Sequence, residues 1–89
     1  MAAAPWAIRW TQAAHRDVRR LDRELTGRIL STLERFASTG HGDVTRLQTV
    51  DPPTWRIRIG DWRVLFALFP AERTLEVQRV LPRGSAYRD

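Results

Sequence analysis

The stretch Thr54 to Phe66, TWRIRIGDWRVLF, constrains the fold of this chain more than any other. Trp55-Arg56-Ile57-Arg58-Ile59 alternates strictly between apolar and charged residues. Gly60-Asp61 supplies a two-residue turn, and Trp62 to Phe69 follows as a second extended run. Alternation at period two on both sides of a short glycine-containing turn is a strong hairpin signal. A two-residue loop sets the register, with Ile59 opposite Trp62, Ile57 opposite Val64 and Trp55 opposite Phe66. Directly opposed residues share a face, so these six apolar side chains form one surface. The other surface has Arg58 opposite Arg63 and Arg56 opposite Leu65, which gathers three arginines on the side away from the core. Facing like charges cost roughly a few tenths of a kcal/mol or more. An ordinary solvated face and a surface meant for an anion both fit, and a phosphodiester in the cluster would relieve the repulsion.

The rest of the chain is read around this hairpin. Trp6 to Trp10 alternates large and small side chains and reads as a short strand. Thr11 is placed to cap a helix, and from Gln12 the period turns helical, with Ala14, Val18 and Leu21 at i, i+4 and i+7. A second stripe follows as Leu25, Ile29, Leu33 and Phe36. One bent helix and two helices in a hairpin both fit; Asp22, a good second N-cap, favours two. Gly40-His41-Gly42 stops the helical region. The stretch to Pro53 reads as a loop that can hold a short extended piece around Val44 to Leu47.

Pro70 to Arg73 turns the chain again, and Thr74 to Leu81 is a third strand of the meander. Its register is open. Pairing Phe69 with Thr74 puts Arg79 on the apolar face, and a one-residue slip puts it beside Arg63. Pro82 ends the strand and leaves Arg83 to Asp89 as a tail. Strand, two helices and meander together predict one α+β domain over residues 1–89, with the helices on one face of a mainly antiparallel, four-stranded sheet. Trp55, Ile57, Val64, Phe66, Leu21, Ile29 and Leu33 are the expected core.

Composition excludes several classes. At 89 residues the chain supports one domain with a thin core. It has no cysteine, which removes disulfides, thiolate nucleophiles and zinc ribbons, and fits a reducing cytoplasm. The run Val64 to Pro70 is far too short to span a bilayer, and Met1 to Pro5 lacks the features of a signal peptide. All 15 basic residues are Arg, and the net charge is +5. Arginine in place of lysine throughout fits genomic composition as readily as phosphate binding. Position must decide which arginines matter, and the overall charge points to an anionic partner, a nucleic acid or an acidic protein.

Enzyme inventories offer little. His15 and His41 have no metal-ligand partner at suitable spacing and read as surface residues, so no metal or other cofactor is expected. Ser31, Ser38 and Ser85 lack a nucleophile elbow, and there is no glycine-rich phosphate loop. Cleavage of RNA without a metal suits what remains. The 2′-hydroxyl is a built-in nucleophile, and the protein need only hold the in-line geometry and stabilise charge at the phosphate.

The hairpin TWRIRIGDWRVLF, the strand LEVQRVLPR (Leu75 to Arg83) and the ending Arg83-x-x-x-Tyr87 resemble the RelE/ParE family of toxins from bacterial toxin–antitoxin modules. The order of elements is similar along nearly the whole chain. The RelE-like branch implies a microbial-ribonuclease-like fold that enters the ribosomal A site and cuts mRNA there, without a metal. Carried over by position, the resemblance implies Arg63, Arg83 and Tyr87 as catalytic residues and Arg56 and Arg58 as RNA-binding residues. It also implies an acidic antitoxin protein as partner, beside ribosome and mRNA, for a cytoplasmic toxin that inhibits translation.

The sequence departs from that pattern where RelE-type toxins carry lysines, because both paired positions here are Arg. Arginine, whose guanidinium stays protonated in proteins, cannot serve as a general base. Proton transfer is therefore unassigned unless Tyr87 or the ribosome supplies it, and Tyr87 equally suits stacking on a base. Two alternatives stand beside the nuclease. One is a ParE-like protein that poisons DNA gyrase by binding it. The other is a degenerate homologue that binds only its antitoxin.

Overall fold

The hairpin pairs as its alternation dictates. In the computed structural model, which describes residues 5–47 and 53–84, β3 (Thr54–Ile59) and β4 (Trp62–Phe69) run antiparallel. Trp55 lies opposite Phe66, Ile57 opposite Val64, Arg58 opposite Arg63 and Ile59 opposite Trp62. Gly60 turns the chain at φ 60°, a left-handed conformation that glycine adopts without steric cost.

Three further strands complete one sheet in the order β1-β5-β4-β3-β2. They are β1 (Ala7–Trp10), β2 (Val44–Leu47) and β5 (Thr74–Pro82). β5 pairs antiparallel with β4, β1 parallel with β5, and β2 antiparallel with β3. The sheet therefore has five strands, not the expected four. The additional strand is the Val44–Leu47 piece, with Val44 opposite Ile57 and Leu47 opposite Thr54. It is four residues long and its middle is exposed, so it carries no periodicity that separates it from a loop.

The open register of β5 is settled by a bulge. Phe69 pairs with Thr74 and Phe66 with Val77, but Leu65 pairs with Arg79, so Gln78 is skipped. The extra residue moves Arg79 onto the Arg63 side of the sheet and returns Val80, which is buried, to the core side. Neither uniform pairing foresaw this. Thr11 pins the bulge: its N–H donates to the Val77 carbonyl at 3.0 Å and its hydroxyl donates to the Gln78 carbonyl at 3.0 Å.

The same hydroxyl accepts the Ala14 N–H at 3.1 Å and so caps α1 (Gln12–Arg19). Asp22 then accepts the Leu25 N–H at 2.7 Å and caps α2 (Arg23–Thr39), which gives two helices. α2 ends at Gly40, which sits at φ 78° and donates to the Phe36 carbonyl at 2.8 Å.

Ala14 from α1 and Ile29 and Leu33 from α2 pack on Ile57, Ile59, Val64, Phe66, Leu75, Val77 and Val80. Each large apolar side chain so buried contributes about 1.5–3 kcal/mol. Trp55 and Leu21, expected in the core, are half-buried and pack at its rim. The rings of Phe36 and Phe66 meet at 5.4 Å and 59°, which joins the end of α2 to the centre of the sheet. Among the described residues, no helix is long and apolar enough to cross a membrane.

Candidate functional site

Register and turn geometry decide where each arginine goes. Arg58 and Arg63 face each other in the last rungs of the hairpin, on the side away from the helices, and Arg56 stands two residues along opposite Leu65. Arg58 is exposed and Arg56 half-buried. Arg63 is only 2% exposed. Its Nη1 donates to the carbonyls of Gly60 and Trp62, both at 2.9 Å, so its guanidinium braces the β3–β4 turn.

Arg83 is exposed just past β5, where Trp62 pairs with Pro82. Its backbone N–H donates to the Asp61 carbonyl at 2.7 Å, which ties the strand end to the same turn. The structure thus brings Arg56, Arg58, Arg63 and Arg83 to one end of the sheet. Tyr87 lies outside the described residues.

A further arginine reaches this end from the other layer. Arg28 of α2 flanks the apolar stripe at Ile29, and its Nη2 lies so close to Gly60 that a Cβ there would be 3.2 Å away. Sequence periodicity places Arg28 beside the stripe, but only the crossing of α2 over the sheet decides which strand end it meets.

Arg46 of β2 lies over the Trp55 ring, and two other arginines of the sheet, Arg9 and Arg79, have carboxylate partners. Arg9 pairs with Glu76 at 3.0 Å and Glu72 at 3.4 Å and stacks over the Phe69 ring. Arg79 grips Asp17 of α1 through Nε at 2.8 Å and Nη2 at 3.1 Å. Burial alone would push the Asp17 carboxyl up. Hydrogen bonds from Arg79 and from the Val80 N–H outweigh it and hold that carboxyl below the ordinary range.

By contrast, none of Arg28, Arg58 and Arg83 forms a salt bridge among the described residues. These fixed cations can bind and orient an anion, but none of them can accept a proton. His15 and His41 are exposed, and no group of three or more His, Asp or Glu among the described residues could hold a metal ion.

A family model described as "ParE toxin of type II toxin-antitoxin system, parDE" matches residues 8–87. A search of curated protein sequences finds no significant match. Among solved structures, the fold is similar to the archaeal RelE-RelB complex from Pyrococcus horikoshii OT3. That match has a TM-score of 0.76 and 17% identity, and covers 91% of this chain and 98% of that one. It is similar to the toxin-antitoxin complex RelBE2 from Mycobacterium tuberculosis, at TM-score 0.67 and 24% identity, with 90% and 100% covered. It is also similar to the isolated RelE toxin of E. coli, at TM-score 0.71 and 11% identity, with 88% and 84% covered.

Proposed function

Since the chain belongs to the ParE toxin family of type II toxin–antitoxin systems, we propose that it arrests growth by cutting mRNA on the ribosome. The observation that carries this reading is the end of the sheet at the β3–β4 turn. There Arg58 and Arg83 are exposed without salt bridges among the described residues, and Arg58 faces Arg63. Arg58 and Arg56 hold the RNA backbone in line, and Arg83 takes the scissile phosphate as negative charge develops on it. The 2′-hydroxyl of the RNA gives up its proton and attacks the adjacent phosphorus, forming a 2′,3′-cyclic phosphate as the bond to the 5′-oxygen breaks, and the departing 5′-oxygen takes up a proton.

Arg63 is nearly buried, with its Nη1 on the Gly60 and Trp62 carbonyls. In this reading it works from its buried site, as the positioning residue that fixes the turn. Tyr87 moves a proton or stacks on a base. The partner that silences the toxin is an acidic antitoxin whose flexible segment covers the arginine end. In support, solved relatives of the same fold are held in complexes with RelB.

Primer extension on ribosome-bound mRNA tests the reading. Wild type gives an A-site cut, and Arg58→Ala and Arg83→Ala each lower its rate by on the order of 10²–10³, the usual cost of losing one electrostatic contact. Tyr87→Phe keeps stacking and removes the hydroxyl. A large loss identifies proton transfer, and a small one identifies stacking. Full growth inhibition by all three variants without any cut overturns the nuclease.

A second reading has its own observation: the arginines of the cluster cannot themselves accept a proton. Inhibition of DNA gyrase by binding needs no proton acceptor. It predicts loss of supercoiling activity by purified gyrase with intact mRNA.

A further inference from the structure

We infer that the RNA surface continues around the β3–β4 turn onto the helical layer, with Arg28 of α2 as a phosphate contact there. This rests on the reading that the arginine end of the sheet binds RNA. Two guanidinium groups converge on Gly60 from opposite layers. Nη1 of Arg63 bonds its carbonyl at 2.9 Å, and Nη2 of Arg28 sits where an added Cβ would be 3.2 Å away.

The turn's own carboxylate, Asp61, makes no salt bridge among the described residues, and neither does Arg28. Arg28 is exposed, so an anion can reach it. Nothing in α2 itself requires this placement. The apolar stripe is carried by Leu25, Ile29, Leu33 and Phe36, and Arg28 flanks it with its long stem laid toward the end of the sheet.

Glycine at position 60 serves both needs, the left-handed turn and the close approach of Arg28. A single strand lying across Arg56 and Arg58 therefore meets Arg83 at the strand end and Arg28 beyond the turn. The interface spans two layers of the fold.

The test is binding of a short oligouridylate to the purified chain as a function of salt, at fixed pH. Each phosphate contact on a single strand contributes about 0.7 to the slope of log K against log salt. Arg28→Gln should make that slope less negative by about 0.7. Arg35→Gln, an exposed arginine two turns further along α2, removes the same charge and should leave the slope unchanged. Arg28→Lys should restore the wild-type slope, because the slope counts charge and not shape.

Equal slopes for the Arg28→Gln and Arg35→Gln variants overturn the inference, as does an Arg28→Lys slope equal to that of Arg28→Gln. If Arg58→Gln and Arg83→Gln reduce the slope while Arg28→Gln does not, only this inference falls. If wild type shows no salt-dependent binding, the nucleic-acid reading falls with it.

Discussion

Replacing Asp17 by alanine should damage this fold more than any other single change to a charged helix residue. Its carboxylate is 11% exposed and accepts three hydrogen bonds: two from Arg79 and one, at 2.8 Å, from the Val80 N–H. Val80 follows the bulge, beyond the point where β1 ends opposite Val77, so no strand is available to its amide. Orphaning that part-buried N–H costs about 1–3 kcal/mol. Arg79 is 46% exposed, and losing its ion pair adds only about 0.5–1 kcal/mol.

The sum, about 1.5–4 kcal/mol, lowers Tm by about 6–32 °C in a domain of this size. Asn at 17 keeps an acceptor for Val80 and should cost roughly half as much. The native carboxyl lies below its ordinary value, so its stabilisation is complete above the unfolded pKa of about 3.9. It is lost as pH falls from there through the native value, and the gap between wild type and Asp17→Asn should close in acid. Thermal unfolding followed by circular dichroism at neutral and acid pH reads both effects. A loss below about 0.5 kcal/mol for Asp17→Ala, the usual range for surface substitutions, refutes the reasoning.

Two further outcomes are expected. Gly27 lies inside α2, and an added Cβ meets nothing within 4 Å. Gly27→Ala should therefore raise stability by about 0.5–1 kcal/mol in urea unfolding, and a loss would contradict the open space there. Arg63→Ala removes the brace from the Gly60 and Trp62 carbonyls and should destabilise by about 1–3 kcal/mol. On the nuclease reading proposed above, the mRNA cut should weaken in proportion to disorder at the turn; full activity with full stability would mean that the brace does nothing.

The sequence made the hairpin legible because period two and a two-residue turn fix face and register together. The helix caps were legible for the same local reason: Thr11 and Asp22 act within three residues of themselves. What escaped was non-local. The bulge at Gln78 is held by Thr11, 67 positions away, and no pattern within β5 announces it. β2 exists only because β3 offers its edge. At the site, alternation grouped Arg56, Arg58 and Arg63, but it cannot tell an arginine that reaches outward from one that folds back on its own turn. Arg28 was invisible because helix periodicity says which side of α2 a residue occupies, not which strand end lies beneath it.

The parallel pairing of β1 with β5 also sets the order in which this fold can be completed. Arg9 meets Glu76 across 67 positions, whereas β3 and β4 close across two residues. The entropy of closing so long a loop is on the order of 4 kcal/mol and must be met before the contact returns anything. During synthesis β1 emerges first and has no strand partner until β5 has left the ribosome. The hairpin can form early, but the Thr11 anchor, the Asp17 contact and the Asp61–Arg83 tie all wait for β5. Arg83 and its tie to Asp61 join the arginine end only once β5 is in place, so a chain interrupted before Thr74 carries the hairpin arginines without them.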